Sequence, residues 1–231
     1  MPTQLLVLGP LEVRRDGRVL PVRRGRPRRL LLALLLRRGV AVAPDTLVDQ
    51  LWGDEPPQNA GNALQVLVSR LRGAVAGDDL RIERTAAGYR LLVDADSVDA
   101  TRFEALVRAA ASPSAGPGAR LRAAGEALAL WRGPALDEAA EDDFARGDAA
   151  RLEELRLQAH EARAAALLEL GRSDEALPDL GRLVREHPFR ERLHAMLALG
   201  LYRSGRQAEA LAALDEACAL LAEELGLDPT T

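Results

Sequence analysis

The chain has 231 residues and a formal charge of −4, enough for one large domain or two small ones. All 31 basic residues are arginine, and the missing lysine excludes a phosphate-cradling GxxxxGK[ST] loop, a pyridoxal Schiff base and a Ser–Lys dyad. A single cysteine, Cys218, excludes an intrachain disulfide and a multi-cysteine zinc site, and the longest apolar run, residues 30–36, is too short to span a bilayer. No leader pattern for secretion opens the sequence, so a cytoplasmic protein is predicted.

The charge is unevenly spread. Residues 1–93 hold 15 arginines against nine acidic residues, a net +6; residues 94–231 hold 16 against 26, a net −10. Opposite signs predict two domains, 1–93 and 94–231, the first suited to nucleic acid. Residues 4–14, the Asp16-Gly17 pair and residues 19–22 read as strand, turn and strand. Residues 28–38 carry leucines on most sides and predict a buried helix that Gly39 ends. Pro44 and Asp45 open a short helix running to Trp52.

The third helix, residues 59–75, is the informative one. Leu64, Leu67, Val68 and Leu71 fall at i, i+3, i+4 and i+7 and face a core. The opposite face is centred on Asn62, Val66, Ser69 and Gly73, flanked by Gln65, Arg70 and Arg72. Between Gln58 and Gly77 there is no acidic residue to repel a phosphate backbone. Arginine can bridge the guanine edge, asparagine or glutamine can read adenine, and valine can meet a thymine methyl. Residues 80–84, 85–88 and 89–93 then read as a β-hairpin with a small-residue tip. Strands, three helices and a hairpin make a winged helix-turn-helix, and the strands ahead of the first helix point to the OmpR-type variant.

The motifs Leu8-Gly-Pro-Leu-Glu-Val13, Leu47-Val-Asp-Gln-Leu-Trp52, Asn62-Ala-Leu-Gln-Val-Leu-Val-Ser-Arg-Leu-Arg72 and Gly88-Tyr-Arg90 stand in order along this half. They resemble the N-terminal domain of the Streptomyces antibiotic regulatory protein family. The resemblance implies that Arg70 reads a base, that Val66 makes an apolar base contact and that Arg72 holds the backbone; Gln65 and Asn62 on the same face are further expected base contacts, and Ser69 and Thr46 further expected backbone contacts. It also implies that Arg84 and Thr85 at the hairpin tip enter or touch the adjacent minor groove. Trp52 and Tyr89 read as core. Ala43 stands where the family often has a serine able to cap the second helix.

From Asp99 onward the chain reads as almost continuous helix, broken at 112–118, 132–134, 171–172, 187–188 and 205. Gly171-Arg-Ser-Asp-Glu-Ala-Leu177 and Gly205-Arg-Gln-Ala-Glu-Ala-Leu211 repeat at an offset of 34 residues, the tetratricopeptide period. Val98-Asp-Ala-Thr-Arg-Phe103, Ala127-Leu-Ala-Leu-Trp-Arg-Gly-Pro134, Glu186-His-Pro-Phe-Arg-Glu-Arg-Leu193 and Glu224-Leu-Gly-Leu-Asp-Pro229 resemble the same family's bacterial transcriptional activator domain. By that resemblance the chain stops early, since family members run on through another helix. His160, His187 and His194 lack a fixed carboxylate and read as structural or exposed, and Cys218 reads as a core thiol. The acidic cluster at residues 137–143 reads as a solvated loop, and Trp131 and Phe144 as core. No enzyme, cofactor or metal site emerges.

The sequence therefore predicts an α+β winged helix-turn-helix followed by an all-α tetratricopeptide-like domain. The family resemblance implies a transcriptional activator of antibiotic or secondary-metabolite genes, nucleoid-associated, that binds tandem direct repeats at the promoter −35 region as a head-to-tail homodimer. It implies RNA polymerase holoenzyme, including the sigma factor, as the second partner, and no membrane. Three alternatives stand beside it: a repeat-based sensor or scaffold whose winged helix no longer binds DNA, the regulatory region of a longer ATPase-containing regulator, and a repressor with the same fold.

Overall fold

The computed structural model describes residues 3–77 and 79–225. Chain order is β1 (Gln4–Leu6), β2 (Glu12–Arg15), β3 (Arg18–Val19), α1 (Arg26–Leu35), α2 (Pro44–Trp52), α3 (Ala60–Val75), β4 (Leu80–Thr85) and β5 (Gly88–Val93). Then come α4 (Asp99–Ala110), α5 (Pro117–Leu128), α6 (Asp143–Glu169), α7 (Ser173–Glu186), α8 (Glu191–Arg203) and α9 (Gln207–Leu225).

The single strand expected over residues 4–14 is two strands. Gly9 and Pro10 break it, because proline has no amide to give a ladder, and the chain reverses so that Gln4 pairs with Arg14 and Leu6 with Glu12. β3 completes an antiparallel β1-β2-β3 sheet. α1 buries all of Leu30 through Leu35, as its leucine-rich sequence requires, but ends before Gly39; Arg38 and Gly39 both turn through positive φ. α2 starts at Pro44 on Ala43, and no side chain caps it. Asn59 does cap α3, its side chain accepting the Asn62 amide at 3.0 Å. The core under these helices is aliphatic: Leu31, Leu34, Leu47, Leu51, Leu64, Val68 and Leu71 are each almost fully buried. Tyr89 is buried with them, whereas Trp52 is half-buried, with the Arg26 guanidinium 5.4 Å from its ring centre.

Two compact units are interleaved along the chain. The first comprises residues 1–105 and 129–155, the second 106–128 and 156–231. Within the first, the 129–142 connection runs along the N-terminal sheet: Arg132 donates to the Leu8 carbonyl at 2.8 Å and Leu136 to Val7 at 2.9 Å. The buried Asp99 carboxylate accepts the Val7 and Leu8 amides at 2.8 and 3.1 Å. Trp131 meets Phe103 edge-on, with ring centres 5.2 Å apart. The acidic segment expected to be a solvated loop is partly built in. Glu138 pairs with Arg28 and accepts the Leu11 amide at 2.8 Å, and Asp142 pairs with Arg29 at 2.8 Å, while Asp143 stays exposed.

The second unit is helical, with Leu167, Leu180, Leu183, Leu193 and Met196 in its core. The 34-residue repeat holds at the level of single bonds. After α6, Gly171 donates to Leu168 and Arg172 to Leu167; after α8, Gly205 donates to Tyr202 and Arg206 to Leu201. Both glycines have φ near +75°, and this pair of bonds is the Schellman ending that glycine permits. Arg172–Glu175 and Arg206–Glu209 then form matching two-bond ion pairs. His194 is buried with Nε2 2.8 Å from the Pro188 carbonyl, and His187 is exposed. His160 is half-buried, and burial together with the Arg182 charge pushes its pKa down. Cys218 is exposed rather than buried: α9 turns Ala217 and Leu221 inward, and the adjacent position faces out. The Gly-Leu-Asp-Pro stretch at residues 226–229 lies outside the described residues.

Candidate nucleic-acid interface

α3 has one inner and one outer face. Leu64, Val68, Leu71 and Val75 are buried, and the positions between them turn outward. Asn62, Gln65, Val66, Ser69 and Arg70 are all exposed and form one continuous strip of the helix. Val66 is 40% exposed, so a branched apolar side chain stands in solvent at the centre of a polar strip. No acidic side chain lies on this helix.

The arginines of the first unit divide by what holds them. Arg26 donates to the Leu51 carbonyl at 3.3 Å, Arg28 to Val22 at 3.1 Å and Arg29 to Gln50 at 3.0 Å, so the three arginines in the first turn of α1 fasten it to its neighbours. Arg90 pairs with Glu83 across the hairpin at 2.8 Å. Arg72 donates its Nε to the Ile82 carbonyl at 2.8 Å and ties α3 to β4. Arg70 forms no hydrogen bond or ion pair among the described residues and projects from the strip. The two arginines of the Arg-Leu-Arg motif are thus held differently, one bonded to the hairpin and one without a bonded partner among the described residues.

A further arginine escaped the sequence reading. Arg23 and Arg70 line the same shallow groove, floored by Val22, Leu67 and Leu71. Arg23 was counted in the charge balance, and the run from Arg23 to Arg29 was the available signal. Nothing in that run distinguishes Arg23, which has no partner among the described residues, from Arg28 or Arg29, because their carboxylate partners Glu138 and Asp142 lie far away in sequence.

The hairpin behind α3 is a regular antiparallel pair from Leu80–Val93 to Thr85–Gly88. Val42 adds to it by exchanging bonds with Tyr89, 2.7 Å one way and 2.9 Å the other. Arg84 is exposed at the tip, its guanidinium 5.9 Å from the Tyr89 ring centre. Thr85 is partly buried and its hydroxyl closes the turn, accepting from Ala87 at 3.2 Å and lying 3.3 Å from the Gly88 carbonyl. Thr46 lies in the first turn of α2, partly exposed.

Residues 98–231 match the model of the bacterial transcriptional activator domain, and residues 24–91 match that of the C-terminal domain of transcriptional regulatory proteins. Regulatory protein DnrI of Streptomyces peucetius is 36% identical, the match covering 98% of this chain and 88% of DnrI. Regulatory protein AfsR of Streptomyces griseus is 40% identical over 96% of this chain, which spans only 23% of AfsR. A solved structure of Mycobacterium tuberculosis EmbR in complex with a low-affinity phosphopeptide superposes with a TM-score of 0.88 at 33% identity, covering 99% of this chain and 62% of that one.

Proposed function

Because the chain belongs to the Streptomyces antibiotic regulatory protein family of transcriptional activators, we propose that it activates transcription by inserting the outer face of α3 into the major groove of promoter DNA. The observation that carries this reading is the exposed strip Asn62, Gln65, Val66, Ser69 and Arg70, free of acidic residues and with an unengaged guanidinium. Arg70, Val66, Gln65 and Asn62 contact base edges in this reading, and Ser69, Arg72 and Thr46 contact the backbone. Arg84 and Thr85 meet the adjacent minor groove or its backbone, Arg84 through its charge. The sites are tandem direct repeats near the −35 region of biosynthetic promoters, occupied head to tail, and the activator domain recruits RNA polymerase holoenzyme.

A mobility-shift titration with Arg70→Ala tests the reading. The expected loss is about 1–3 kcal/mol on the preferred site, with weaker discrimination against altered sites. Unchanged affinity and unchanged discrimination refute the assigned groove helix. In vitro transcription on the same promoter then separates activation from repression, and footprinting shows whether protection follows direct repeats.

A further inference from the structure

Inside the first unit there is a half-open cavity of about 370 Å³. Its walls are aliphatic, from Leu36 after α1, Leu92 of β5, Val98 before α4 and Leu152 of α6. No aromatic ring lines it. Protein interiors are ordinarily filled to the density of organic crystals, and a volume of this size falls within the range of pockets that take small molecules.

The mouth is charged but balanced. Arg151 lies 2.8 Å from Glu104 and Arg38 lies 3.2 Å from the same carboxylate oxygen; Arg151 also lies 3.5 Å from Asp148. All four of these groups line the cavity. Two guanidinium and two carboxylate groups leave no net charge, so a charged ligand would have to break an existing ion pair to be matched. An uncharged one keeps the rim intact. The Thr101 side chain and the rim groups Arg38, Glu104, Asp148 and Arg151 supply the polar side chains of the lining, and the other lining side chains are hydrocarbon.

We propose that this cavity is a binding site for an uncharged small molecule with an apolar body and a hydrogen-bonding group at one end. Binding would be driven by burial of the apolar body, with the polar end set against the Glu104–Arg151 rim. Occupancy would raise the unfolding temperature of the chain, because a ligand that binds only the folded state stabilises it by mass action. The site is independent of whether α3 reads DNA, since none of its lining residues belongs to the α3 strip.

Two fluorescent probes of similar size test it on the full chain: N-phenyl-1-naphthylamine, which is uncharged, and 8-anilinonaphthalene-1-sulfonate, which is anionic. The uncharged probe is expected to bind saturably at one molecule per chain and to raise the melting temperature, with the anionic probe binding more weakly. Ala100→Leu fills the cavity from a half-buried position on α4 and is expected to weaken the uncharged probe by about tenfold or more. Leu36→Phe fills it from the other side and is read in the same way, with circular dichroism melts reporting that each variant folds. Leu211→Gln removes an exposed leucine on α9 and is expected to leave the titration unchanged. The proposal is overturned by absence of saturable binding, by tighter binding of the anionic probe, or by folded cavity-filling variants that bind as wild type. It is equally overturned if Leu211→Gln is the change that abolishes the signal.

Discussion

Gly88→Ala should be far more damaging than an ordinary turn substitution, and the cause is local and measurable. Gly88 has φ +134°, and a Cβ built there lies 1.9 Å from the Val42 carbonyl oxygen, 2.6 Å from its carbon and 3.0 Å from the Ala43 Cα. All three are backbone atoms, so no rotamer change relieves the collision. Restoring ordinary contact requires the two segments to part by about 1.5 Å. That breaks the reciprocal Val42–Tyr89 bonds of 2.7 and 2.9 Å and releases the tip end of the hairpin. Backbone strain of about 1–3 kcal/mol and two hydrogen bonds at about 0.5–1.5 kcal/mol each give a loss of about 2–6 kcal/mol. Gly17→Ala is the control, since Gly17 also has positive φ, +77°, but has nothing within 4 Å of its Cβ position. It should cost about 1–2 kcal/mol from the left-handed conformation alone. Thermal and urea unfolding of both variants, with hydrogen exchange at the Tyr89 amide as the local reporter, decides the matter. If Gly88→Ala is no worse than Gly17→Ala, the collision is not limiting and the account of how Val42 anchors the wing is wrong.

Arg72→Ala and Arg70→Ala should separate structure from recognition. Losing the Arg72 bond to Ile82 should cost about 1 kcal/mol of stability, whereas Arg70→Ala should change stability by no more than about 0.5 kcal/mol, as for any exposed site; equal melting curves refute the distinction. In DNA titrations across salt concentrations, Arg72→Ala should weaken all sequences similarly and flatten the salt slope. Asp99→Asn should cost about 1–3 kcal/mol by leaving one of the Val7 and Leu8 amides facing an amide donor. It carries a pH signature too. Burial raises the Asp99 pKa more than the two amides and the Arg132 guanidinium, 3.9 Å away, lower it. A raised folded pKa means that the folded state holds the proton more tightly. The associated stability is present below the unfolded pKa, about 4, and is lost as pH rises through the higher folded value. The stability difference between wild type and Asp99→Asn should therefore be largest at the acid end and shrink as pH rises, read from urea midpoints between pH 4 and 7. A difference that widens with pH refutes the assignment.

Features with short-range periodicity were legible in the sequence. The α3 stripe repeats every three to four residues, the hairpin announces itself by two runs about a small-residue tip, and the repeat caps sit 34 residues apart with the same glycine and arginine. Each depends on bonds between residues close in sequence or on one helix face. Features made by distant partners were not legible. Glu138 looks like one acid among several until Arg28 and the Leu11 amide are beside it, and Asp99 looks like a helix-start aspartate until it receives Val7 and Leu8. Cys218 was misread for a related reason. It sits among Ala and Leu on every side, and composition cannot tell which face of α9 is covered.

The same distinction changes what the charge of the first 93 residues means. A net of +6 from 15 arginines looks like a diffuse attraction for phosphate. The structure divides those arginines into two groups. Arg14, Arg15, Arg26, Arg28, Arg29, Arg38, Arg72 and Arg90 reach carbonyls or carboxylates of their own unit. Arg23 and Arg70 share a groove wall without a partner among the described residues, and Arg84 is exposed over an aromatic ring. Arg18, Arg24, Arg37 and Arg81 are likewise exposed without a partner among the described residues, so the free guanidinium donors are not confined to α3 and the hairpin tip. Phosphate attraction should therefore follow where the unengaged arginines stand more closely than the total charge. Neutralising Arg28 should disturb packing first, whereas neutralising Arg23 or Arg70 should act directly on the nucleic-acid surface.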